Sequence, residues 1–118
     1  RAGWEHNELD FIPHNLAQVI ARHYVGDVPV DDARVSPALS DDWGPAFPPV
    51  LLDYGESENF RPQIERMQAA MLRGGVDVDA RSEEGQIHVY PMFEFAWGGG
   101  PGPFATYFDR LGAFLRRY

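Results

Sequence analysis

The chain has 118 residues with ten Arg, no Lys and eighteen Asp plus Glu, for a net charge of -8, and this length fits one small domain or part of one. A hydrophobic content of 44% and an aromatic content of 14% are enough for a packed interior and exclude global disorder, while the acidic balance repels phosphate backbones and excludes nucleic acid or an anionic membrane as the natural partner. Without Cys there is no disulfide, thiol nucleophile or Cys-type zinc site, and the compartment stays open with the cytoplasm as default.

In chain order, the first element is an amphipathic run over Asn15–Tyr24, with Leu16, Val19, Ile20 and His23 at helical spacing. Asn15 is placed to cap it and Pro13 stands just upstream. Val25 to Pro48 holds Asp31-Asp32, Ser36-Pro37, Asp41-Asp42 and Gly44-Pro45, a density of breakers that predicts a long connection with solvated acidic turns. Pro49 to Tyr54 reads as a short strand buried on both faces, followed by a turn over Gly55–Asn59. Phe60 to Arg73 carries Ile64, Met67, Ala70 and Met71 on one face, with Pro62 in the first turn and Gly74-Gly75 as the stop; it reads as a helix. Val76 to Ala80 alternates at period two and reads as a half-buried strand near a sheet edge. Strand, helix and strand within about thirty residues form a βαβ unit with parallel strands. After Tyr90 to Trp97, an apolar stretch read as core or as the wall of a pocket, a last helix starts near Pro103. It carries Phe104, Tyr107, Phe108, Leu111, Phe114, Leu115 and Tyr118 on one broad stripe.

Two strands cannot cover three amphipathic helices, so the chain is expected to complete a sheet whose other strands lie elsewhere. The absent initiator Met points the same way, to an N-terminus made by processing, cloning or cleavage. No apolar run approaches the ~18 residues of a membrane span, and Arg1 to Glu5 is no signal peptide.

In parallel α/β sheets ligands gather beyond the carboxyl ends of the strands. Gly55-Glu56-Ser57-Glu58-Asn59 and Gln86-Ile87-His88-Val89-Tyr90 fall there. A carboxylate that orients an imidazole, and an imidazole that moves a proton, suit an acid and base pair. His6, His14 and His23 share no ligand spacing, so neither metal nor cofactor is expected.

Pro48 to Glu58, Arg73-Gly74-Gly75-Val76, His88-Val89-Tyr90 and Leu111 to Leu115, preceded by Ser36-Pro37-Ala38-Leu39, together resemble the C-terminal part of an α/β-hydrolase, most closely the hormone-sensitive-lipase-like esterases. The resemblance runs from about Tyr24 to Tyr118. It implies an α/β fold in which this chain supplies the last two parallel strands and flanking helices. Residues 31–118 would be the C-terminal portion of the hydrolase domain, and residues 1–30 a cap or cap-proximal segment.

The same resemblance makes His88 the general base. For the acid it leaves Glu56 and Glu58, and favours Glu58 because counting back from the helix puts it where relatives carry theirs. Pro62 and Gln63 stand where relatives often have a further Asp pair. Relatives hold their nucleophile in a Gly-x-Ser-x-Gly elbow ahead of acid and base, whereas Ser36, Ser40, Ser57 and Ser82 are the serines here and none lies in such an elbow. Gly98-Gly99-Gly100 follows the His and cannot serve as the upstream oxyanion loop. The expectation is therefore a carboxylic-ester hydrolase whose Ser lies on an N-terminal part outside this chain, acting on a small ester, with this chain inactive alone. A non-enzymatic α/β protein-binding domain and a pseudo-enzyme of the same fold are the alternatives.

Overall fold

The computed structural model describes residues 10–96 and 103–118. Trp4, His6, Trp97 and the Gly98–Gly102 stretch lie outside them, as do the side chains of Phe95 and Phe104. In order, the elements are α1 (His14–Val25), a 3-10 turn (Pro37–Leu39), β1 (Val50–Gly55), α2 (Arg61–Gly74), β2 (Val78–Glu83), a 3-10 stretch (Tyr90–Ala96) and α3 (Pro103–Leu115). β1 and β2 pair in parallel, Val50 opposite Val78 through Gly55 opposite Glu83, and α2 crosses between them as a βαβ unit requires.

The end of α2 decides where β2 begins. Gly75 takes the left-handed conformation at φ 85°, its N–H bonds the Leu72 carbonyl, and the Val76 N–H reaches back to Met71. This is a Schellman closure, in which the residue after the glycine packs on the last inward-facing turn, and both Val76 and Met71 are buried. Val76 is thus taken up by the helix end. The strand expected at Val76–Ala80 runs instead over Val78–Glu83.

Two further expectations are corrected. α1 begins one residue early, at His14, with Pro13 in the capping position and no side-chain cap; Asn15 sits inside the first turn, where its Oδ1 accepts the Leu16 N–H at 2.9 Å. β1 is not buried on both faces, since only Tyr54 and Gly55 are fully buried. The reason is geometric: α3 stands off the strand, leaving a gap of about 320 Å³ lined by Leu51, Leu52, Asp53, Tyr107, Leu111, Phe114 and Leu115. Among the described residues the sheet has two strands, so the outer edge of β1 has no neighbour.

Tyr54, Ala70, Met71, Val76 and Tyr90 form the apolar core, which sits where α2 meets the sheet and the loop beyond β2. The Pro37–Leu39 turn lies against α2, and a second cavity of about 380 Å³ opens between Ser36 to Leu39 and the Phe60, Ile64 and Met67 side of the helix. The acidic pair at Asp31-Asp32 forms a turn, Asp32 accepting the main-chain N–H and the guanidinium of Arg34. That contact holds the Asp32 carboxyl at about 2. α3 carries the aromatic stripe, although Tyr118 lies beyond the helix end and Phe108 and Leu115 stay exposed. Among the described residues no helix is long and apolar enough to cross a membrane.

Candidate active site

The carboxyl ends of β1 and β2 lie side by side, and the chain stays stitched beyond them. Glu56 N–H bonds the Glu83 carbonyl at 2.9 Å and Ser57 N–H the Gln86 carbonyl at 2.8 Å. A Cβ on Gly55 would fall 2.3 Å from the Gln86 carbonyl oxygen and 2.6 Å from that of Ile87, so the two loops meet this closely only because residue 55 has no side chain.

That approach brings the acid turn under the imidazole. Glu58 is 5% exposed; its Oε2 accepts the Gly55 N–H at 2.9 Å and its Oε1 lies 3.1 Å from His88 Nδ1. One carboxylate oxygen thus anchors the carboxylate to its own turn while the other addresses the ring. His88 keeps 27% of its side chain exposed, between the rings of Phe60 at 5.1 Å and Phe11 at 6.1 Å. Glu56, the other carboxylate, does not take this position. It meets Arg61 at 3.5 Å near the surface, where Arg61 also holds Glu65 at 2.7 Å.

The loop beyond His88 is fixed from the opposite side. Val89 adopts a positive φ of 48°, a region unfavourable to a β-branched residue, and Tyr90, 2% exposed, donates its hydroxyl to Asp53 Oδ1 at 2.5 Å. Burial, and after it the Asp53 hydrogen bond, push the Tyr90 phenol well above its usual range. Arg110 of α3 completes the set, with Nη1 on Asp53 at 2.9 Å and Nη2 on Asp79 at 2.8 Å. α3, β1 and the His loop are therefore joined through one buried carboxylate, with Arg110 carrying the link on to β2 through Asp79, and a charge-assisted network of this kind holds geometry better than isolated pairs.

Several of these residues carried no signal in the sequence as site residues. Tyr90 was one apolar residue in a stretch read as core or pocket wall; it is core, whereas Met92 is 69% exposed. Phe11, far from His88 in sequence, had no periodic or motif signature, and Asp53 looked like one more residue of a strand. Only Gly55, a glycine at a strand end, was a legible cue. Among the described residues no three His, Asp or Glu groups come together as metal ligands.

An ionised carboxylate on Nδ1 selects the tautomer in which Nδ1–H donates and Nε2 offers its lone pair, the form that accepts a proton. No curated protein matches the chain. A family model described as alpha/beta hydrolase fold matches residues 2–92, a span that takes in α1, β1, α2, β2, the acid turn and the His loop. With parallel strands ending in a carboxylate turn and a His loop, and with that match over most of its length, the chain belongs to the α/β-hydrolase fold family, a family of hydrolases, in its hormone-sensitive-lipase-like esterase group.

Proposed function

We propose that this chain supplies the acid and base of a Ser-His-Glu triad in a carboxylic-ester hydrolase, with His88 as general base and Glu58 as its orienting acid. The observation that carries the reading is the 3.1 Å contact of His88 Nδ1 with a buried Glu58 whose second oxygen is already committed to Gly55. The nucleophilic Ser belongs to an N-terminal part of the same enzyme outside these residues. Its hydroxyl proton passes to His88 Nε2 as the oxygen attacks the ester carbonyl, Glu58 stabilises the imidazolium so formed, and His88 returns the proton to the leaving alcohol; water then repeats the cycle to free the acid. The half-covered helices and the open edge of β1 support a body completed by that other part. By itself the chain is then without hydrolytic activity.

The test is labelling with a fluorophosphonate probe, together with intact mass under denaturing conditions, on the preparation as it is isolated and on the longer polypeptide. A larger species that carries the label, and loses it in His88→Ala, supports the proposal. In that species Glu58→Gln should lower kcat for a short-chain ester by ~10³-fold to 10⁴-fold, as expected when an acid that sets the imidazole tautomer is neutralised. A folded, monodisperse 13.3 kDa chain that is never labelled, and whose longer polypeptide is never labelled either, overturns the reading in favour of a binding domain.

A further inference from the structure

Residues Asp10 to Ile12, immediately before α1, cross the corner that holds Glu58 and His88. Asp10 is 8% exposed, and its Oδ2 accepts the main-chain N–H of Asn59 at 2.7 Å. Asn59 in turn donates its Nδ2 to the Ile12 carbonyl at 2.8 Å. Asn59 is itself 3% exposed and directly follows Glu58. The strap is therefore buckled, by main chain and side chain together, to the residue that closes the acid turn. Between the two buckles Phe11 lies against the His88 ring, at 6.1 Å, and edge-on against Phe93 at 5.4 Å. One short segment thus holds the residue that follows Glu58 and lies against the ring of His88, from 47 or more residues away.

We propose that Asp10 is a positioning residue: it fixes the Asn59 peptide, and through it the direction in which Glu58 presents its carboxylate to His88. The proposal rests on the reading of Glu58 and His88 as acid and base, and adds to it the element that sets their coupling.

Three physical points support it. The acid turn has its own bond from Gly55 on one side, but on the other it runs into α2, where a helix N-terminus favours a nearby negative charge; Asp10 supplies one. A carboxylate acceptor for a buried N–H makes a stronger and shorter bond than a neutral acceptor, consistent with 2.7 Å. Finally, Asp10 Oδ1 and Asn59 Oδ1 are buried with no hydrogen-bond partner among the described residues. Such groups burden stability, so a clasp needed only to hold the chain together would be served as well by apolar contacts.

The reporter is the His88 Nδ1–H proton, followed by NMR in the whole chain, because a proton held between imidazole and carboxylate resonates far downfield and exchanges slowly with water. Glu58 and the neutral rings of Phe11 and Phe60 are the groups placed against that ring. Glu58→Gln removes the downfield signal. Asp10→Ala, with the amide spectrum of β1 and β2 unchanged, should also lose it to exchange, and Asp10→Asn, which keeps an acceptor oxygen, should restore it. Should Asp10→Ala fail to fold, Asp10→Leu, which keeps the bulk of the side chain and removes both oxygens that could hold the Asn59 N–H, should produce the same loss. Retention of the signal in a folded Asp10→Ala or Asp10→Leu chain, while Glu58→Gln removes it, overturns the proposal and leaves the acid and base reading standing. A signal indifferent to Glu58→Gln overturns both.

Discussion

Where β1 and β2 end, Glu58 and Asn59 are withdrawn from solvent and both oxygens of the Glu58 carboxylate have a partner; along α1 no residue is buried, and Leu16, Val19 and Ile20 stay about half exposed. Only the first of these regions has something to close upon. The corner closes through backbone bonds between two loops of the same βαβ unit, so its geometry needs nothing beyond the chain. Among the described residues nothing buries the α1 face or pairs with the outer edge of β1. The corner of Glu58 and His88 is thus closed while these two surfaces stay open.

The largest effects should separate these regions by stability. Met71→Ala, removing a side chain 2% exposed, should lower unfolding free energy by about 2–5 kcal/mol, whereas Ile20→Ser on α1 should change it by less than about 0.5 kcal/mol. Denaturant unfolding of both variants checks this, and equal losses would mean that α1 is covered after all. If a longer polypeptide covers α1, as proposed, Ile20→Ser should cost there about 1.5–3 kcal/mol, the worth of burying such a side chain.

A finer division lies within the closed region. Ala at Gly55 would set its Cβ against the Gln86 carbonyl, and Ala at Gly74 against that of Trp43 at 2.2 Å. Both should destabilise by about 1–3 kcal/mol through overpacking, measured by thermal or denaturant unfolding. Only Gly55→Ala should also disturb the His88 Nδ1–H signal, because only there does the displaced loop carry the imidazole.

The smallest effect is in alkaline solution. The folded Tyr90 phenol is raised above the ordinary value of 10.0 by burial and by Asp53, so its contribution is fully present below pH 10 and is lost as pH rises from there through the folded value. The denaturant midpoint should fall above pH 10 in the native chain and fall less steeply in Tyr90→Phe. Equal slopes would show that Tyr90 does not govern this limb.

How far the sequence reached follows from the range of each interaction. α2 was legible to within a residue at either end because its period, its early proline and its closing glycines are all local. β2 was misplaced by two residues because Val76 serves the helix end, a pairing with Met71 that alternation alone cannot display. The meeting of Glu58 with His88 was anticipated by resemblance and by counting; the division of labour between Glu58 and Glu56, one buried against the ring and the other on Arg61, is a matter of turn geometry. Asp10 with Asn59 and Tyr90 with Asp53 were illegible, since each joins distant residues of ordinary type and leaves no periodic trace.

The outer edge of β1 has a consequence for handling the chain. A strand with one side unpaired offers a row of amide and carbonyl groups to any extended segment, and here the offer comes from Val50, Leu51 and Leu52 beside an open apolar gap. In concentrated solution this edge is the natural seed for edge-to-edge association between copies. The net charge of -8 opposes it, so added salt, by screening that repulsion, should bring the chain closer to aggregation rather than protect it.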